Sequence, residues 1–132
     1  MINSVLALVL AVLISYLLGS VSFAVVFSNA FSHKDVRDFG SGNAGMTNVL
    51  RSVGVLPGVL TFVCDFLKGV FAVLIGRYLI FAVAEPMGII IPEYTAFFCG
   101  MACQLGHIFP VFYGFRGGKS VSTSVAILFM NP

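Results

Sequence analysis

The sequence predicts an all-α fold, a polytopic transmembrane helical bundle. Of its 132 residues, 59% are hydrophobic and only 9% are charged, and residues 1–32 contain no charged side chain. Soluble domains average about 25% charged residues, and a soluble domain of this length could not cover so much apolar surface. Lipid is therefore the expected solvent, and we expect residues 1–132 to form a single integral-membrane domain.

Four apolar segments follow one another along the chain, over residues 2–31, 53–83, 94–112 and 121–130. A spanning helix needs about 20 predominantly apolar residues. The first three segments therefore predict complete spans, and the fourth predicts a span that is cut short. On this pattern we expect the chain to be the N-terminal part of a longer membrane protein.

The distribution of basic residues predicts the orientation in the membrane. Only Arg77 borders the loop after the second apolar segment, whereas the other two loops hold five basic residues: Lys34, Arg37, Arg51, Arg116 and Lys119. Because cytoplasmic loops carry an excess of lysine and arginine, these two loops are expected in the cytoplasm and the N-terminus outside. Both loops can then contribute to one site.

The stretch at residues 39–51, FGSGNAGMTNVLR, is rich in glycines and hydrogen-bond donors. Glycine permits positive φ angles and the close approach of a ligand, and successive amides in such a turn can bind anions. Arginine adds a planar fork suited to phosphate. We predict an anion site here; the alternative is a tight turn that only connects two helices. The candidate residues are Ser41, Gly42, Asn43, Gly45, Thr47, Asn48 and Arg51.

The stretch at residues 106–120, GHIFPVFYGFRGGKS, predicts a second phosphate-binding element. It is not a P-loop, because Tyr113 stands where that motif requires a glycine. Gly117, Gly118 and Lys119 instead precede the fourth apolar segment, whose first turn holds hydroxyl groups. A helix N-terminus with a lysine and hydroxyls favours phosphate. The alternative is a membrane anchor whose basic residues contact lipid headgroups.

Three polar side chains interrupt the apolar segments. Asp65 and Lys68 lie three residues apart in the second segment, and charges within a span usually face a polar interior. The pair is predicted either to satisfy itself as an ion pair or, through Lys68, to bind a substrate phosphate. His107, at the end of the third segment, is either an interfacial residue or a general base.

Other features of the sequence indicate neither a metal site nor a nucleic-acid partner. The net charge is only +2, and the three cysteines lie in apolar runs, where reduced thiols act as small hydrophobic groups. His33 and Asp38 have the H-x-x-x-x-D spacing of a family of glycerolipid acyltransferases in which the histidine is a base. We interpret that match as a coincidence, because no companion phosphate-binding block follows it.

Taken in order, the motifs resemble the bacterial acyl-phosphate:glycerol-3-phosphate acyltransferases, small polytopic proteins of the cytoplasmic membrane. Residues 35–54 match that family's D-V-R-x-x-G-S-G-N-x-G-x-T-N-V-L-R-x-x-G pattern, and residues 65–69 match its D-x-x-K-G. Residues 106–123 match its G-H-x-F-P-V-F-x-x-F-K-G-G-K-G-V-A-T. Ser120 departs from the pattern by replacing a glycine, and the family's third block lies beyond the last residue of this chain.

The resemblance implies transfer of an acyl group from acyl phosphate to the 1-hydroxyl of glycerol 3-phosphate, without a cofactor. It implies catalytic roles for Ser41 and Arg51, and a glycerol 3-phosphate site at Gly117, Gly118 and Lys119. The base is either His107 or a phosphate oxygen of the substrate. A functional link to the enzyme that forms acyl phosphate also follows. Two alternatives stay open: a non-catalytic membrane partner with the same fold, and part of a transporter.

Overall fold

The computed structural model describes residues 2–130, and all the regular structure of these residues is helical. The α-helices are α1 (Ile2–Ser20), α2 (Phe23–Ser32), α3 (Met46–Ser52), α4 (Val55–Leu74), α5 (Ile80–Ala84), α6 (Thr95–Ile108) and α7 (Val121–Met130). Three segments are long and apolar enough to cross a membrane, namely Ile2–Ser32, Val55–Met87 and Thr95–Tyr113. The predicted all-α transmembrane bundle is confirmed, and α7 is the shorter fourth apolar helix.

The first span, predicted over residues 2–31, is broken between α1 and α2. Glycine and serine are weak helix formers, and serine competes with the helical backbone as a cap. The side chain of Ser22 accepts a hydrogen bond from the amide of Val25 at 3.5 Å and so begins α2. The break leaves backbone carbonyls that need partners, because lipid offers none.

Lys68 fills this break from the neighbouring span. Its Nζ donates to the carbonyl oxygens of Gly19 at 3.0 Å and Val21 at 2.8 Å, and it lies 3.0 Å from Oδ1 of Asp65. Both charged side chains are buried, with 1% and 3% of their surface exposed. The ammonium thus donates two hydrogen bonds to backbone carbonyls and forms an ion pair with Asp65. The ion-pair interpretation of these two residues is confirmed. Lys68 also provides hydrogen-bond donors for two carbonyl groups at the break in the first span.

Helix α4 is the centre of the bundle, with α2, α3, α6 and α7 packed against it. Its continuation through a π-helical stretch, Ile75–Leu79, brings Gly76 against α6, where an added Cβ would lie 2.6 Å from Cα of Ala96. Helix α1 packs against α6 in the same close way, because a Cβ on Gly19 would lie 2.0 Å from the carbonyl oxygen of Cys103. Small residues allow such approach between helices in lipid. All three cysteines are free thiols.

Two polar segments meet at one end of this bundle. We call residues 33–54 loop 1, which includes α3, and residues 109–120 loop 2, which leads into α7. Gly58 near the start of α4 packs on Leu50 of α3. Thr123 in the first turn of α7 donates through Oγ1 to the carbonyl oxygen of Asp65 at 3.2 Å. The first half of α4 therefore holds both loops on the same side of the bundle, as predicted.

Candidate active site

Asn48 organises loop 1 from its centre. Its buried amide nitrogen lies within hydrogen-bond distance of the carbonyl oxygens of Val36 (3.0 Å), Phe39 (2.9 Å) and Asn43 (3.1 Å). Its Oδ1 accepts from the amide of Ser41 at 3.3 Å and from the hydroxyl of Ser52 at 3.2 Å. Every polar atom of the side chain is therefore engaged within the loop. Asn48 shapes the predicted anion site and has no free donor for a ligand.

The glycines of loop 1 differ in what they provide. Gly40 and Gly42 have φ angles of +53° and +72°, the left-handed region expected of them. Gly45, by contrast, has extended backbone with a φ of −146° just before α3. The turn at residues 40–42 carries Ser41 on an exposed edge of the loop, where its hydroxyl accepts from the amide of Asn43 at 3.4 Å.

The double glycine of loop 2 serves close packing, and its amides are already engaged. Gly117 N–H donates to the carbonyl oxygen of Ile108 and Gly118 N–H to that of His107, both at 3.1 Å. An added Cβ on Gly118 would lie 2.4 Å from the carbonyl oxygen of Ala44. Loop 2 thus lies directly on loop 1. The amides of Gly117 and Gly118 bind the end of α6 and are therefore not free for a ligand.

The amides that remain for an anion are those at the start of α7. The first residues of a helix have amides without an intrahelical acceptor, and such a terminus favours negative charge. Val121 and Ser122 lie there and face the cavity described next. Ser120, just before them, has a φ of +61° and a buried hydroxyl with no hydrogen-bond partner.

A cavity of about 380 Å³ lies between the two loops, α4 and the ends of α6 and α7. Eight of the residues proposed from the sequence line it: Ser41, Asn43, Gly45, Thr47, Asn48, Arg51, His107 and Lys119. Four others, Gly42, Lys68, Gly117 and Gly118, are not among the lining residues. Lys68 is excluded because its ammonium faces the break in the first span. The remaining lining residues are Met46, Phe62, Asp65, Ser120, Val121 and Ser122.

The charges of the cavity are arranged by depth. Arg51 and Lys119 are exposed, and neither has a carboxylate within ion-pair distance among residues 2–130. Asp65 and His107 are buried, and Nδ1 of His107 lies 3.7 Å from Oδ1 of Asp65, too far for a hydrogen bond. Lys68 does not line the cavity, but its ammonium forms an ion pair with Asp65. The carboxylate therefore adds little negative charge to the cavity. Two unpaired cations next to neutral donors favour an anionic ligand.

The sequence did not predict that apolar side chains line the cavity, nor that Asp65 is one of the lining residues. Phe62 is one turn before Asp65 on the same face of α4, and this spacing is the signal that could have placed both side chains together. In the described part of the chain, His, Cys, Asp and Glu side chains form no group of three or more that could hold a metal ion.

Fold and site together define a polytopic helical membrane protein with a cavity, lined by two unpaired cations and neutral donors, where its polar loops meet. A family model described as glycerol-3-phosphate acyltransferase matches residues 9–132. The chain therefore belongs to the glycerol-3-phosphate acyltransferase family.

Curated relatives and solved structures agree with this membership. The chain is 42% identical over 125 residues to glycerol-3-phosphate acyltransferase 2 of Bacillus anthracis, covering 94% of this chain and 60% of that protein. It is 46% identical over 118 residues to a glycerol-3-phosphate acyltransferase of Neisseria meningitidis, covering 89% and 56%.

The structural comparison gives the same proportions. A crystal structure of PlsY (YgiH), an integral membrane glycerol 3-phosphate acyltransferase in its glycerol 3-phosphate form, matches with a TM-score of 0.75 and 40% identity. That match covers 93% of this chain and 56% of PlsY. The lysophosphatidic acid form of PlsY matches with a TM-score of 0.69. The chain thus spans less than two thirds of the length of these relatives.

Proposed function

We propose that the cavity transfers an acyl group from acyl phosphate to the 1-hydroxyl of glycerol 3-phosphate, as a step of phospholipid biosynthesis. The observation that carries this proposal is the meeting of both loops around one cavity, with the unpaired cations of Arg51 and Lys119 at its mouth. Two phosphate-bearing substrates need two cations that no carboxylate already neutralises. The volume of about 380 Å³ lies within the range of small-molecule sites.

The chemistry requires positioning more than activation. The hydroxyl oxygen forms a bond to the acyl carbonyl carbon, and the bond from that carbon to the phosphate oxygen breaks. Inorganic phosphate leaves with the electron pair, and the hydroxyl proton passes to His107 or to a substrate phosphate oxygen. Since acyl phosphate is a mixed anhydride, no covalent enzyme intermediate is needed. Arg51, Lys119 and the donors around Ser41 hold the two phosphates so that the reacting atoms meet.

The same geometry suits a substrate with one end in lipid. Phe62 and Met46 line the cavity on the side of α4 and α3, and Phe62 is 39% exposed on the bundle surface. We propose that the acyl chain leaves the cavity along this side into the membrane. The loops would then face the cytoplasm of a bacterial cell with the N-terminus outside, as the basic loops predict. The enzyme that forms acyl phosphate would supply the donor from the same side.

A non-catalytic membrane partner with the same fold is the second candidate. The observation that favours it is the position of His107, whose Nδ1 lies 3.7 Å from Oδ1 of Asp65, so this carboxylate does not orient the candidate base through a hydrogen bond. Such a partner would bind glycerol 3-phosphate through Arg51 and Lys119 without forming product.

Reconstitution in proteoliposomes separates these candidates. The chain is supplied with acyl phosphate and labelled glycerol 3-phosphate, alone and co-expressed with the part of the Bacillus anthracis relative that it does not cover. We expect labelled 1-acylglycerol 3-phosphate, reduced by about 10²- to 10³-fold in Arg51→Gln and Lys119→Gln, as for loss of a positioned charge donor. Lys34→Ala, which removes an exposed cation outside the cavity lining, is the matched control.

Each outcome of this assay decides something. Product that survives both cavity substitutions would refute the proposed roles of Arg51 and Lys119. Saturable binding of labelled glycerol 3-phosphate without product in either preparation would establish the non-catalytic candidate. Neither binding nor product in either preparation would refute both.

A further inference from the structure

Arg37 joins the two loops although it does not line the cavity. Its Nη1 donates to the carbonyl oxygen of Tyr113 at 2.5 Å and lies 3.3 Å from that of Arg116. The carbon of the guanidinium also lies 5.7 Å from the centre of the Tyr113 ring. These contacts connect residues that are 76 and 79 positions apart in the chain. One side chain of loop 1 therefore holds the turn of loop 2 that precedes Gly117.

Asp35 fixes the other edge of the same guanidinium. Its carboxylate accepts from Nε of Arg37 at 3.0 and 3.1 Å and from Nη2 at 2.7 Å, a fork in which two nitrogens contact one carboxylate. It also accepts from the amide of Arg37 at 2.9 Å, which begins the 3₁₀ turn Val36–Asp38. The guanidinium is thus oriented before it reaches loop 2, because Asp35 holds it through both backbone and side chain.

The charges around this pair keep it ionised. Hydrogen bonding to Arg37 holds the pKa of Asp35 below its usual value, and the Arg116 charge adds to this effect. Hydrogen bonding to Asp35 raises the pKa of Arg37, with smaller contributions from Asp38 and Tyr113. The two side chains are 26% and 15% exposed, so the pair is only partly screened by water.

The two loops bring different halves of the cavity. Loop 1 contributes Ser41 and Arg51, and loop 2 contributes Lys119 and Ser120. Their backbones lie close together at Gly118 and Ala44. Tyr113 of loop 2 also packs against an apolar cluster that includes Val36, Ala44 and Val49 of loop 1. Arg37 adds polar contacts to this apolar packing, because its guanidinium donates to carbonyl oxygens of loop 2.

We propose that Arg37 is a positioning residue that fastens loop 2 to loop 1 and so sets the separation of the cations of Arg51 and Lys119. This inference rests on the proposed function only for its effect on substrates, since the tie itself is a property of the two loops. The planar fork is essential to it: the guanidinium contacts Asp35 and both carbonyls at once, which a lysine ammonium could not do from the same position.

Hydrogen exchange of the purified chain in detergent tests the tie without reference to activity. In Arg37→Ala we expect amides of residues 113–118 to exchange about tenfold faster or more, the factor that hydrogen bonds to a charged group are worth. Arg37→Lys is expected to give a smaller increase in the same residues. Lys34→Ala, which removes a neighbouring cation whose recorded contact is with the ring of Phe39, should leave loop 2 unchanged.

Unchanged exchange in residues 113–118 of Arg37→Ala would overturn the proposal. Exchange in Arg37→Lys equal to that of the wild type would show that a positive charge alone suffices, and would refute the requirement for a planar guanidinium. Exchange in α4 and α6 reports whether each variant is folded. If Arg37→Ala does not fold, Arg37→Lys decides alone.

A second arm connects the tie to the cavity. Inorganic phosphate should protect both loops in the wild type, at a concentration about tenfold lower than in Arg37→Lys. A wild type that does not respond to phosphate would count against the proposed function while the exchange result still decides the tie. Equal phosphate dependence in both proteins would refute the effect of Arg37 on the cavity.

Discussion

Replacing Lys68 by methionine tests the most buried charge in the bundle. The change removes three contacts of Nζ: the two carbonyl oxygens of the broken first span and the carboxylate of Asp65. Breaking a buried ion pair by removal of one partner costs about 3–5 kcal/mol, because the other charge stays buried without compensation. For a chain of this size we expect the unfolding midpoint in detergent to fall by about 10–20 °C.

The double variant Asp65→Asn, Lys68→Met tests whether the loss of stability comes from the unpaired carboxylate of Asp65. Removing the carboxylate charge as well leaves only the unmatched carbonyls, so the double variant should be more stable than Lys68→Met alone. Leu67→Met is the matched control, since Leu67 is the neighbour of Lys68 and is 42% exposed on the outside of the bundle. Because the chain has no tryptophan, thermal unfolding is followed by circular dichroism. The wild type, Lys68→Met, the double variant and Leu67→Met are compared. A Lys68→Met midpoint equal to that of Leu67→Met, or a double variant less stable than Lys68→Met, would refute the reasoning.

Three further changes probe the loops. Ser120→Gly should raise the unfolding midpoint by several degrees, since a φ of +61° costs a non-glycine residue about 1 kcal/mol; a lower midpoint would show that the hydroxyl matters more than the backbone. Gly118→Ala should abolish phosphate protection of both loops, because its Cβ would lie 2.4 Å from the carbonyl oxygen of Ala44; phosphate titration by hydrogen exchange measures this. The pKa of Asp35 is lowered in the folded protein, so its stabilising contribution is present above the unfolded value of about 3.9 and is lost only as pH falls through the lower folded value. Loop 2 exchange, corrected for its intrinsic pH dependence, should therefore stay constant from pH 7 to about 5, whereas Asp35→Asn should exchange faster throughout; a wild-type increase near pH 6 would contradict this assignment.

The spans and the side on which the loops lie could be predicted from the sequence because lipid imposes simple rules. Apolar length predicted the three long segments, and the basic residues predicted that loops 1 and 2 share a side. The eight cavity residues proposed from the sequence could be found because polar and basic side chains are rare in so apolar a chain and are concentrated in the two loops.

The partner that stabilises the break in the first span could not be predicted, because Lys68 lies 49 and 47 residues from the two carbonyls that it binds. For the same reason the segment alone left open whether Lys68 pairs with Asp65 or binds a substrate phosphate. Gly117 and Gly118 were predicted to belong to a phosphate site, but whether a glycine contacts a ligand or a neighbouring backbone depends on what packs against it. Asn48 has a side chain that could bind a substrate, but in the structure all its polar atoms bind other residues of loop 1. Only the three-dimensional structure shows this difference.

The ammonium group that repairs the first span also constrains how the protein can enter the membrane. A helix that carries Asp65 and Lys68 at its middle is a poor candidate for independent insertion, because each charge at the centre of a bilayer is unfavourable by about 2.5–3.5 kcal/mol on insertion scales. The carbonyl oxygens of Gly19 and Val21 provide hydrogen-bond partners for the Lys68 ammonium of that helix. Because the N-terminal span is synthesised first, we expect its open carbonyls to be available as partners for Lys68 when α4 inserts.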